Sequence, residues 1–316
     1  MTGATFGVDL GGTNLRTGVV DIDGDLVAEQ RVRTPSTLEG IVTAIAEGVR
    51  ALGQRHDTAA CVGIGAAGMI DYDGVIRYAP NVPAFRGAPV RQLVSETLGM
   101  PVVLDNDANV AAVGELAHGA ARGLQEVLLI TLGTGVGGGI VTRGQVLRGA
   151  HGFGAEIGHF QVDPGGPMCA CGERGHWEAI ASGTALGALG RAYAERGDAP
   201  SVLARAGGNV DGVGGVHVGD AAQAGEPDGV EIVAEYARNV AVGLVGLVNI
   251  LDSQMVVVSG GVVELGDVLF DPLREFFDGH LEGAEYRPSV AIVPAALGEQ
   301  AGIIGAGVLA RELVGS

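Results

Sequence analysis

The sequence predicts an α/β protein built from two related domains. Short apolar segments typical of strands alternate with segments whose apolar residues recur every three or four positions, as in amphipathic helices. A strand, a glycine-rich turn and a second strand near the N-terminus recur about 120 residues later, which indicates an internal duplication, although such hairpins also occur by coincidence. The chain of 316 residues also exceeds the usual size of a single hydrophobic core.

The first domain, which we place over residues 1–118, is predicted to contain both strands and helices. Its strands are predicted at residues 6–10, 15–22, 26–33, 61–66 and 102–104. Its helices are predicted at residues 38–52, 90–98 and from about residue 105. Ser36 is the candidate N-cap of the first helix, whose apolar stripe consists of Leu38, Ile41, Ile45, Val49 and Leu52.

The second domain, which we place over residues 119–299, repeats the opening pattern. Its strands are predicted at residues 127–132, 137–141, 145–147 and 255–258. Its helices are predicted at residues 177–194, 230–251 and 268–277, and a C-terminal helix over about 300–316 is expected to pack on the first domain. The polar, glycine-rich stretch at residues 197–223 is interpreted as a surface loop or frayed helix that carries no functional information.

Composition and charge exclude several partners and mechanisms. The net charge is −18 and no basic stripe offsets it, so nucleic acid is not an expected partner. All 19 cationic residues are arginine, which excludes a Walker P-loop, the strand lysine of protein kinases and Schiff-base chemistry. No apolar run reaches the roughly 20 residues of a membrane helix, so membrane association is not expected.

The cysteines indicate a reducing compartment. Cys61, Cys169 and Cys171 are an odd number, and the last two are separated by a single residue, which suits a metal site better than a set of disulfides. The N-terminus leads directly into a predicted strand rather than a signal peptide. We therefore expect a soluble protein of the cytoplasm.

Two glycine turns, at residues 11–13 and 133–135, are candidate phosphate sites. Backbone N–H groups in a tight glycine turn can surround an anion, and a threonine hydroxyl adds a donor. Either turn alone is more often a plain hairpin. Asp9, directly before the first turn, is a candidate to hold Mg²⁺ through water, with capping of the turn as the alternative.

The tetrad Asp105-Asn-Asp-Ala108 ends a predicted strand and starts a helix. Acidic and amide side chains at that position commonly cap the helix, and this is one interpretation. Ligands of α/β domains, however, bind beyond the carboxyl ends of strands. Because phosphoryl transfer to an alcohol needs a carboxylate at the nucleophile, Asp107 is the candidate base and Asn106 is expected to orient a sugar.

A third cluster contains histidine, cysteine and glutamate. His159, Cys169, Cys171 and His176 supply the four nitrogen and sulfur ligands of a closed, structural Zn²⁺ site. Two buried cysteines with unrelated histidines are the alternative interpretation. A metal here would also bring two glutamates, at positions 156 and 178, near one another as acceptors for sugar hydroxyls.

These segments together resemble the ROK family of sugar kinases and sugar-responsive repressors, and within it the bacterial ATP-dependent glucokinases. The resemblance covers nearly the whole chain. The segments that carry it are Asp9-Leu-Gly-Gly-Thr13, Asp105-Asn-Asp-Ala-Asn109, Thr131-Leu-Gly-Thr-Gly-Val-Gly-Gly-Gly139, Glu156-Ile-Gly-His159 and Cys169-Ala-Cys-Gly-Glu-Arg-Gly175.

The resemblance implies an actin-like (ribonuclease H-like) ATPase fold, with two duplicated α/β domains and a cleft between them. It implies transfer of the ATP γ-phosphate to the 6-hydroxyl of glucose, with Asp107 as base, Mg²⁺, a structural Zn²⁺ and a homo-oligomer of two or four chains. His159 would ligate zinc through one ring nitrogen and contact a sugar hydroxyl through the other. The implied sugar ligands are Gly68, Asn81, Asn106, Asp107, Glu156, His159 and Glu178. The implied nucleotide ligands are Asp9, Gly11, Gly12, Thr13, Asn14, Thr134, Gly135, Gly260 and Gly261.

Two positions depart from the family pattern. The metal motif of the family usually ends in a third cysteine where this chain has His176, so the zinc ligands become two histidines and two cysteines. Position 14, often lysine in the family, is Asn14, so a cation for the phosphates must come from Arg16 or Mg²⁺. Neither departure changes Asp107.

Other functions are compatible with the same chemical residues. Mannose, fructose, N-acetylglucosamine or N-acetylmannosamine could replace glucose, and polyphosphate could replace ATP as donor. A regulator of the repressor branch would need a DNA-binding domain before the first strand, which begins by residue 5. A sugar-binding module without catalysis would not need two phosphate turns and a base.

Overall fold

The computed structural model describes residues 3–56, 58–79 and 85–315. Asn81, an expected sugar ligand, lies outside the described residues. The chain divides into two units. The first contains Met1–Gln125, Gly139–Ala155 and Ala295–Ser316, and the second contains Glu126–Gly138 and Glu156–Pro294.

Strands and helices alternate along the chain, as the sequence predicts. The strands are β1 (Ala4–Leu10), β2 (Asn14–Val20), β3 (Leu26–Arg33), β4 (Thr58–Ala66), β5 (Met69–Ile70), β6 (Ile76–Tyr78), β7 (Val102–Asn106), β8 (Val127–Leu132), β9 (Val136–Thr142), β10 (Gln145–Val146), β11 (Met255–Ser259) and β12 (Ala291–Pro294). The α-helices are α1 (Leu38–Gly53), α2 (Val90–Leu98), α3 (Asp107–Ala117), α4 (Glu178–Ala181), α5 (Gly183–Arg196), α6 (Pro200–Arg205), α7 (Gly215–Gln223), α8 (Pro227–Leu251), α9 (Asp267–His280) and α10 (Ala301–Gly315). None of the helices in the described ranges is both long and apolar enough for a membrane span.

The two large sheets have equivalent strand orders, which confirms the predicted duplication. The first sheet has the order β3-β2-β1-β4-β7 and the second has the order β10-β9-β8-β11-β12. Strands β1, β4 and β7 are parallel to one another, and β8, β11 and β12 are parallel in the same way. The carboxyl ends of β1 and β7 therefore meet at one edge of the first sheet, where Asp9 and Asp107 lie.

Helix α10 packs closely on the first sheet. Two glycines of the sheet allow this contact, because a Cβ at Gly7 or Gly63 would lie 2.0 or 1.8 Å from a carbonyl oxygen of α10. Gly305 of α10 allows an equally close approach to α3, where its Cβ would lie 1.8 Å from the Val110 carbonyl oxygen. The Thr5 hydroxyl also donates to the Gly307 carbonyl at 2.7 Å. The chain thus returns to its first sheet through backbone contacts that larger side chains would prevent.

Several predicted element boundaries differ from the structure. Thr37, not Ser36, caps α1, because its hydroxyl accepts the Gly40 N–H at 3.2 Å. Helix α3 begins at Asp107, since Asp105 still pairs with β4. Ser182 divides the helix predicted at 177–194, because its backbone is extended and its hydroxyl caps α5.

The stretch at residues 197–223 is the largest error. It contains α6 and α7 instead of a loop or frayed helix. One glycine of α7 allows close packing, because a Cβ at Gly219 would lie 2.8 Å from the Leu265 side chain. Strands β5, β6 and β12 were not predicted, since each has only two to four residues.

We predict opposite effects for two helical Gly→Ala substitutions. Gly305→Ala should destabilise the protein by about 1–3 kcal/mol, because the new methyl group overlaps the α3 backbone. Gly246→Ala in α8, where an added Cβ meets nothing within 4 Å, should stabilise it by roughly 0.5–1 kcal/mol. Urea unfolding followed by circular dichroism measures both. A stabilising Gly305→Ala variant would contradict the close packing of α10.

Candidate functional site

The start of α3 separates the capping role from the candidate base. The Asn106 side-chain oxygen accepts the N–H groups of Ala108 at 2.9 Å and Asn109 at 3.3 Å, so Asn106 is the N-cap. Its amide nitrogen donates to the Gly68 carbonyl at 3.1 Å. Asp107 makes only local hydrogen bonds, with the Ala108 N–H at 2.9 Å and with the Asn106 side chain. Its carboxylate is therefore not required for capping.

Gly68, an expected sugar ligand, holds Asn106 through its carbonyl group. Its φ of +119° lies in a region that other residues rarely adopt. A Cβ there would lie 2.4 Å from the Tyr78 carbonyl oxygen. The structure thus places Gly68 beside Asn106 as a backbone support.

Asp107 is exposed to solvent at the start of α3, although nearby protein atoms partly desolvate its carboxylate. Desolvation raises the pKa of its carboxyl above the ordinary 3.8, while hydrogen bonds from Ala108 and Asn106 oppose the shift. A carboxylate whose pKa is raised is a stronger proton acceptor than an ordinary one. The position of Asp107, its accessibility and its raised pKa all suit a general base.

Asp9 belongs to a charged row that crosses the first sheet. In the strand register, Asp9 of β1 pairs with Arg16 of β2, and Arg16 pairs with Arg31 of β3. Arg16 lies 3.9 Å from Asp9 and 2.7 Å from Glu29, so its closest ion pair is with Glu29. Desolvation and the charge of Asp107 raise the pKa of Asp9 to about 6, against the opposing effect of Arg16.

The electrostatics around Asp9 and Asp107 favour a cation. The two negative charges repel each other, so each raises the free energy of the other's ionised form. Arg16 neutralises the charge of Asp9 only in part, because it also pairs with Glu29. Carboxylates at a phosphate site are the protein ligands that Mg²⁺ prefers. The residues at this edge therefore fit a divalent cation.

The first glycine turn borders a cavity of about 380 Å³. The Gly11 N–H donates to the Asn14 carbonyl at 3.1 Å, which closes the turn. Two lining residues, Arg31 and Glu299, were missed from the sequence. Arg31 could have been found from the register of β2 and β3, whereas Glu299 precedes α10 and has no local signal. The cavity is lined by Asp9, Gly11, Gly12, Thr13, Asn14, Arg16, Arg31 and Glu299.

The second glycine turn is held by Glu178. One carboxylate oxygen of Glu178 accepts the Val136 N–H at 3.0 Å. A Cβ at Gly135 would lie 2.3 Å from that oxygen, so only glycine allows this approach. The Thr184 hydroxyl donates to the Thr134 carbonyl at 2.8 Å and fixes the other side of the turn.

The predicted metal ligands converge in the second unit. One ligand atom from each of His159, Cys169, Cys171 and His176 lies within 4.8 Å of the others. The Cys171 sulfur is 3.2 Å from His176 Nδ1, and the Cys169 sulfur is 3.9 Å from His159 Nδ1. A tetrahedral zinc site with two sulfur and two nitrogen ligands has ligand separations of about 3.3–3.8 Å. The donor set and spacing therefore fit zinc.

Cys169 connects this cluster to Glu178, because its sulfur lies 3.2 Å from the other carboxylate oxygen. Burial is the main cause that raises the pKa of the Cys169 thiol to about 12. Metal binding would release that proton, since thiolate is the ligand form. Glu156 precedes the turn of 3₁₀-helix at Ile157–His159 and accepts the His159 N–H through its carbonyl at 3.0 Å.

A cavity of about 460 Å³ in the second unit lies beside the second glycine turn. Gly261 lines it, whereas Gly260, with a φ of +97°, packs against the Leu132 backbone. Five of its residues come from α7, within the stretch that the sequence interpretation had dismissed. The cavity is lined by Leu132, Gly133, Thr134, Gly183, Thr184, Leu186, Gly215, Val216, Gly219, Asp220, Gln223, Gly261, Val262, Glu264 and Leu265.

Comparisons with known proteins agree with this arrangement. The model of the ROK family matches residues 5–313. The glucokinase of Streptomyces coelicolor is 42% identical over 98% of both chains, and that of Thermotoga maritima is 36% identical over 98% of both chains. The structure of a ROK family glucokinase from Streptomyces griseus with glucose and AMPPNP has a TM-score of 0.85 and 43% identity, covering 98% of this chain and all of the other. The predicted actin-like fold is thereby confirmed.

We predict that Asp9→Asn stabilises the free protein at high pH. The pKa of about 6 exceeds the ordinary 3.8, so ionised Asp9 destabilises the folded state above pH 6, and this effect disappears as the pH falls. The melting temperature should rise by about 2 °C at about pH 8 and should not rise at about pH 4. Thermal unfolding without divalent cations measures this.

Asp278→Asn on the exposed side of α9 is the control, and it should produce no such pH-dependent gain. A melting temperature that falls for Asp9→Asn at high pH would show that Arg16 outweighs desolvation.

Proposed function

The chain belongs to the ROK family, and we propose that it transfers the γ-phosphate of ATP to the 6-hydroxyl of glucose, giving glucose 6-phosphate. The similarity to glucokinases over nearly the whole length supports this activity. A relative of 43% identity binds glucose and AMPPNP, which supports glucose as acceptor and ATP as donor.

Asp107 carries the chemistry in this proposal. Its carboxylate is accessible, has a raised pKa and is not required for capping, because Asn106 caps α3. It accepts the proton of the sugar hydroxyl as that oxygen attacks the γ-phosphorus and the bond to the β-phosphate oxygen breaks. The pKa shift brings the base closer to the pH at which it operates.

We assign the phosphates to the two glycine turns. In the first unit, residues 11–13 line a cavity that Arg16 and Arg31 also line. These arginines supply the positive charge that lysine at position 14 would otherwise provide. Asp9 would hold Mg²⁺, which supplies charge neutralisation when bound.

In the second unit, the turn at Thr134 and Gly135 adjoins the cavity of about 460 Å³, which has the size of a nucleoside site. Its apolar wall includes Val216 and Val262, and Gly261 leaves room for a planar base. We propose that this cavity binds the adenosine part of ATP and that the turn at Gly260 lies beside it.

The sugar ligands are proposed unit by unit. Asn106 orients the sugar beside Asp107 in the first unit. In the second unit, the hydroxyls of the sugar form hydrogen bonds with Glu156, His159 and Glu178. His159, Cys169, Cys171 and His176 would hold a zinc ion with no open position, which makes its role structural.

Cellular context and assembly are also proposed. Free cysteines at positions 61, 169 and 171 suit the reducing cytoplasm, where ATP is available. Formation of a dimer or tetramer stays a prediction. A non-catalytic sugar-binding regulator is the second candidate, but the raised pKa and accessibility of Asp107 favour an enzyme.

The substrate is tested with a coupled assay over glucose, mannose, fructose, N-acetylglucosamine and N-acetylmannosamine, each with ATP or polyphosphate. We expect the highest kcat/KM for glucose with ATP. A higher value for an N-acetyl sugar, or for polyphosphate as donor, would contradict the respective assignment. No turnover with any pair would favour the binding module.

Asp107→Asn is the matched variant in the same assay. It should reduce kcat by roughly 10²–10⁴-fold, because the proton acceptor is lost while the shape is preserved. Glucose affinity by calorimetry should change by no more than about threefold. Asp278→Asn, far from the reacting groups in sequence and exposed, should keep the wild-type kcat.

We predict one zinc ion per chain in the purified protein. Cys171→Ser should lose that zinc and lower glucose affinity, because Cys171 is a metal ligand and the metal holds the segment that contains His159. Cys61→Ala, a buried thiol of β4 outside the cluster, should retain zinc. Elemental analysis measures metal content, and a zinc-free wild-type protein would show that His176 does not support the site.

A further inference from the structure

Asp105 is a buried carboxylate that the proposed mechanism does not use. It lies at the end of β7 and is only 6% exposed. One oxygen accepts the backbone N–H of Asn106 at 2.7 Å and the side-chain amide of Asn109 at 3.0 Å. These two residues precede and follow Asp107 on the chain. Asp105 therefore fixes the first turn of α3 from both sides of the candidate base.

Arg148 is the charged partner of Asp105. Its Nε donates to the second carboxylate oxygen at 2.6 Å, across 43 positions of sequence. A further contact, from Nη1 to the Val146 carbonyl, is 3.5 Å long and correspondingly weak. The guanidinium is thus directed at Asp105, and a buried carboxylate without it would be strongly unfavourable.

The segment that carries Arg148 is itself held in place. The Tyr72 hydroxyl donates to the Gly149 carbonyl. A Cβ at Gly152, whose φ is +88°, would lie 2.4 Å from the Ile70 carbonyl oxygen. The segment after β10 is therefore anchored on the β5–β6 hairpin. This anchoring fixes the backbone from which the Arg148 side chain reaches Asp105.

The hydrogen bonds between Asp105 and the start of α3 would not by themselves require this charge. An asparagine at position 105 could still accept the N–H groups of Asn106 and Asn109 through its oxygen. Only the charge-assisted hydrogen bond from Arg148 needs a carboxylate at position 105. The hydrogen bonds of Asp107 are local, to Ala108 and Asn106, so the supports on either side of it determine where its carboxylate points.

We propose that Arg148 and Asp105 are positioning residues for the phosphoryl transfer, which hold Asp107 and Asn106 at the geometry that the sugar hydroxyl requires. This inference rests on the proposed kinase function. Misplacement of a reacting group by about 1 Å is enough to reduce a rate by about 100-fold. Loss of the ion pair should therefore reduce kcat more than sugar binding.

The test exploits the space around Arg148. With Arg91, Asp71 and Glu312, Arg148 lines a cavity of about 360 Å³, so a small cation can enter when the side chain is removed. Arg148→Ala should reduce kcat by roughly 10–100-fold, with KM for glucose within about threefold of wild type. Millimolar guanidinium should restore part of the lost kcat.

Two comparisons make the rescue specific. Arg91→Ala, which lines the same cavity but donates to the Tyr72 carbonyl rather than to Asp105, should keep the wild-type kcat and should not respond to guanidinium. Asp107→Asn should not be rescued, because its missing group is the base itself. If Arg148→Ala does not fold, Arg148→Lys replaces it, and its kcat should fall because a point charge cannot reproduce the guanidinium geometry.

An Arg148→Ala variant with normal kcat would overturn the inference, as would a loss of kcat, affinity and melting temperature together that guanidinium leaves unchanged. For Arg148→Lys, a wild-type kcat would overturn it. A wild-type protein without turnover for any sugar would instead contradict the proposed function, and the positioning role with it. Wild-type turnover is therefore measured first, so that the two failures are distinguished.

Discussion

The cap of α3 is the interaction on which the candidate site depends. Asn106 satisfies the free N–H groups at the start of the helix, and it does so at the point where β7 ends. If Asp107 had to fill that role, its carboxylate would be occupied and its pKa would fall with each N–H bond it accepted. Because Asn106 caps the helix, the Asp107 carboxylate is left available for the proposed role as a base. The same cap also connects the site to Gly68.

The electrostatics of the candidate site depend on a small number of partly desolvated charges rather than on the large net charge. The raised pKa values of Asp9 and Asp107 indicate two carboxylates that the fold does not neutralise on its own. Arg16 is mostly engaged by Glu29, and the chain has no lysine. A bound cation and the charged ligands would therefore complete the site, and without them the unpaired charge at this edge of the sheet lowers stability.

Much of the fold was predictable because its signals are local. The helix at 90–98 and the strand at 26–33 were predicted to the residue, since apolar spacing and turn residues act within a few positions. Errors occurred where packing decides the outcome. Ser182 breaks a helix whose flanks both have helical spacing. The glycine-rich stretch at 197–223 contains two helices, and α7 packs closely on its neighbours at Gly215 and Gly219.

By itself the sequence determined the α/β class, the duplication, the family and the residue types of the site, because spacing and motif are properties of the chain. Only the tertiary structure decided which of these groups meet. It brought the four candidate metal ligands together, made α7 a wall of a cavity and placed Arg148 against Asp105. No local pattern relates Arg148 to Asp105, since a contact over 43 positions follows from the packing of separate elements. The two glycine turns and Asp107 could be named from the sequence, but the supports that hold them could not.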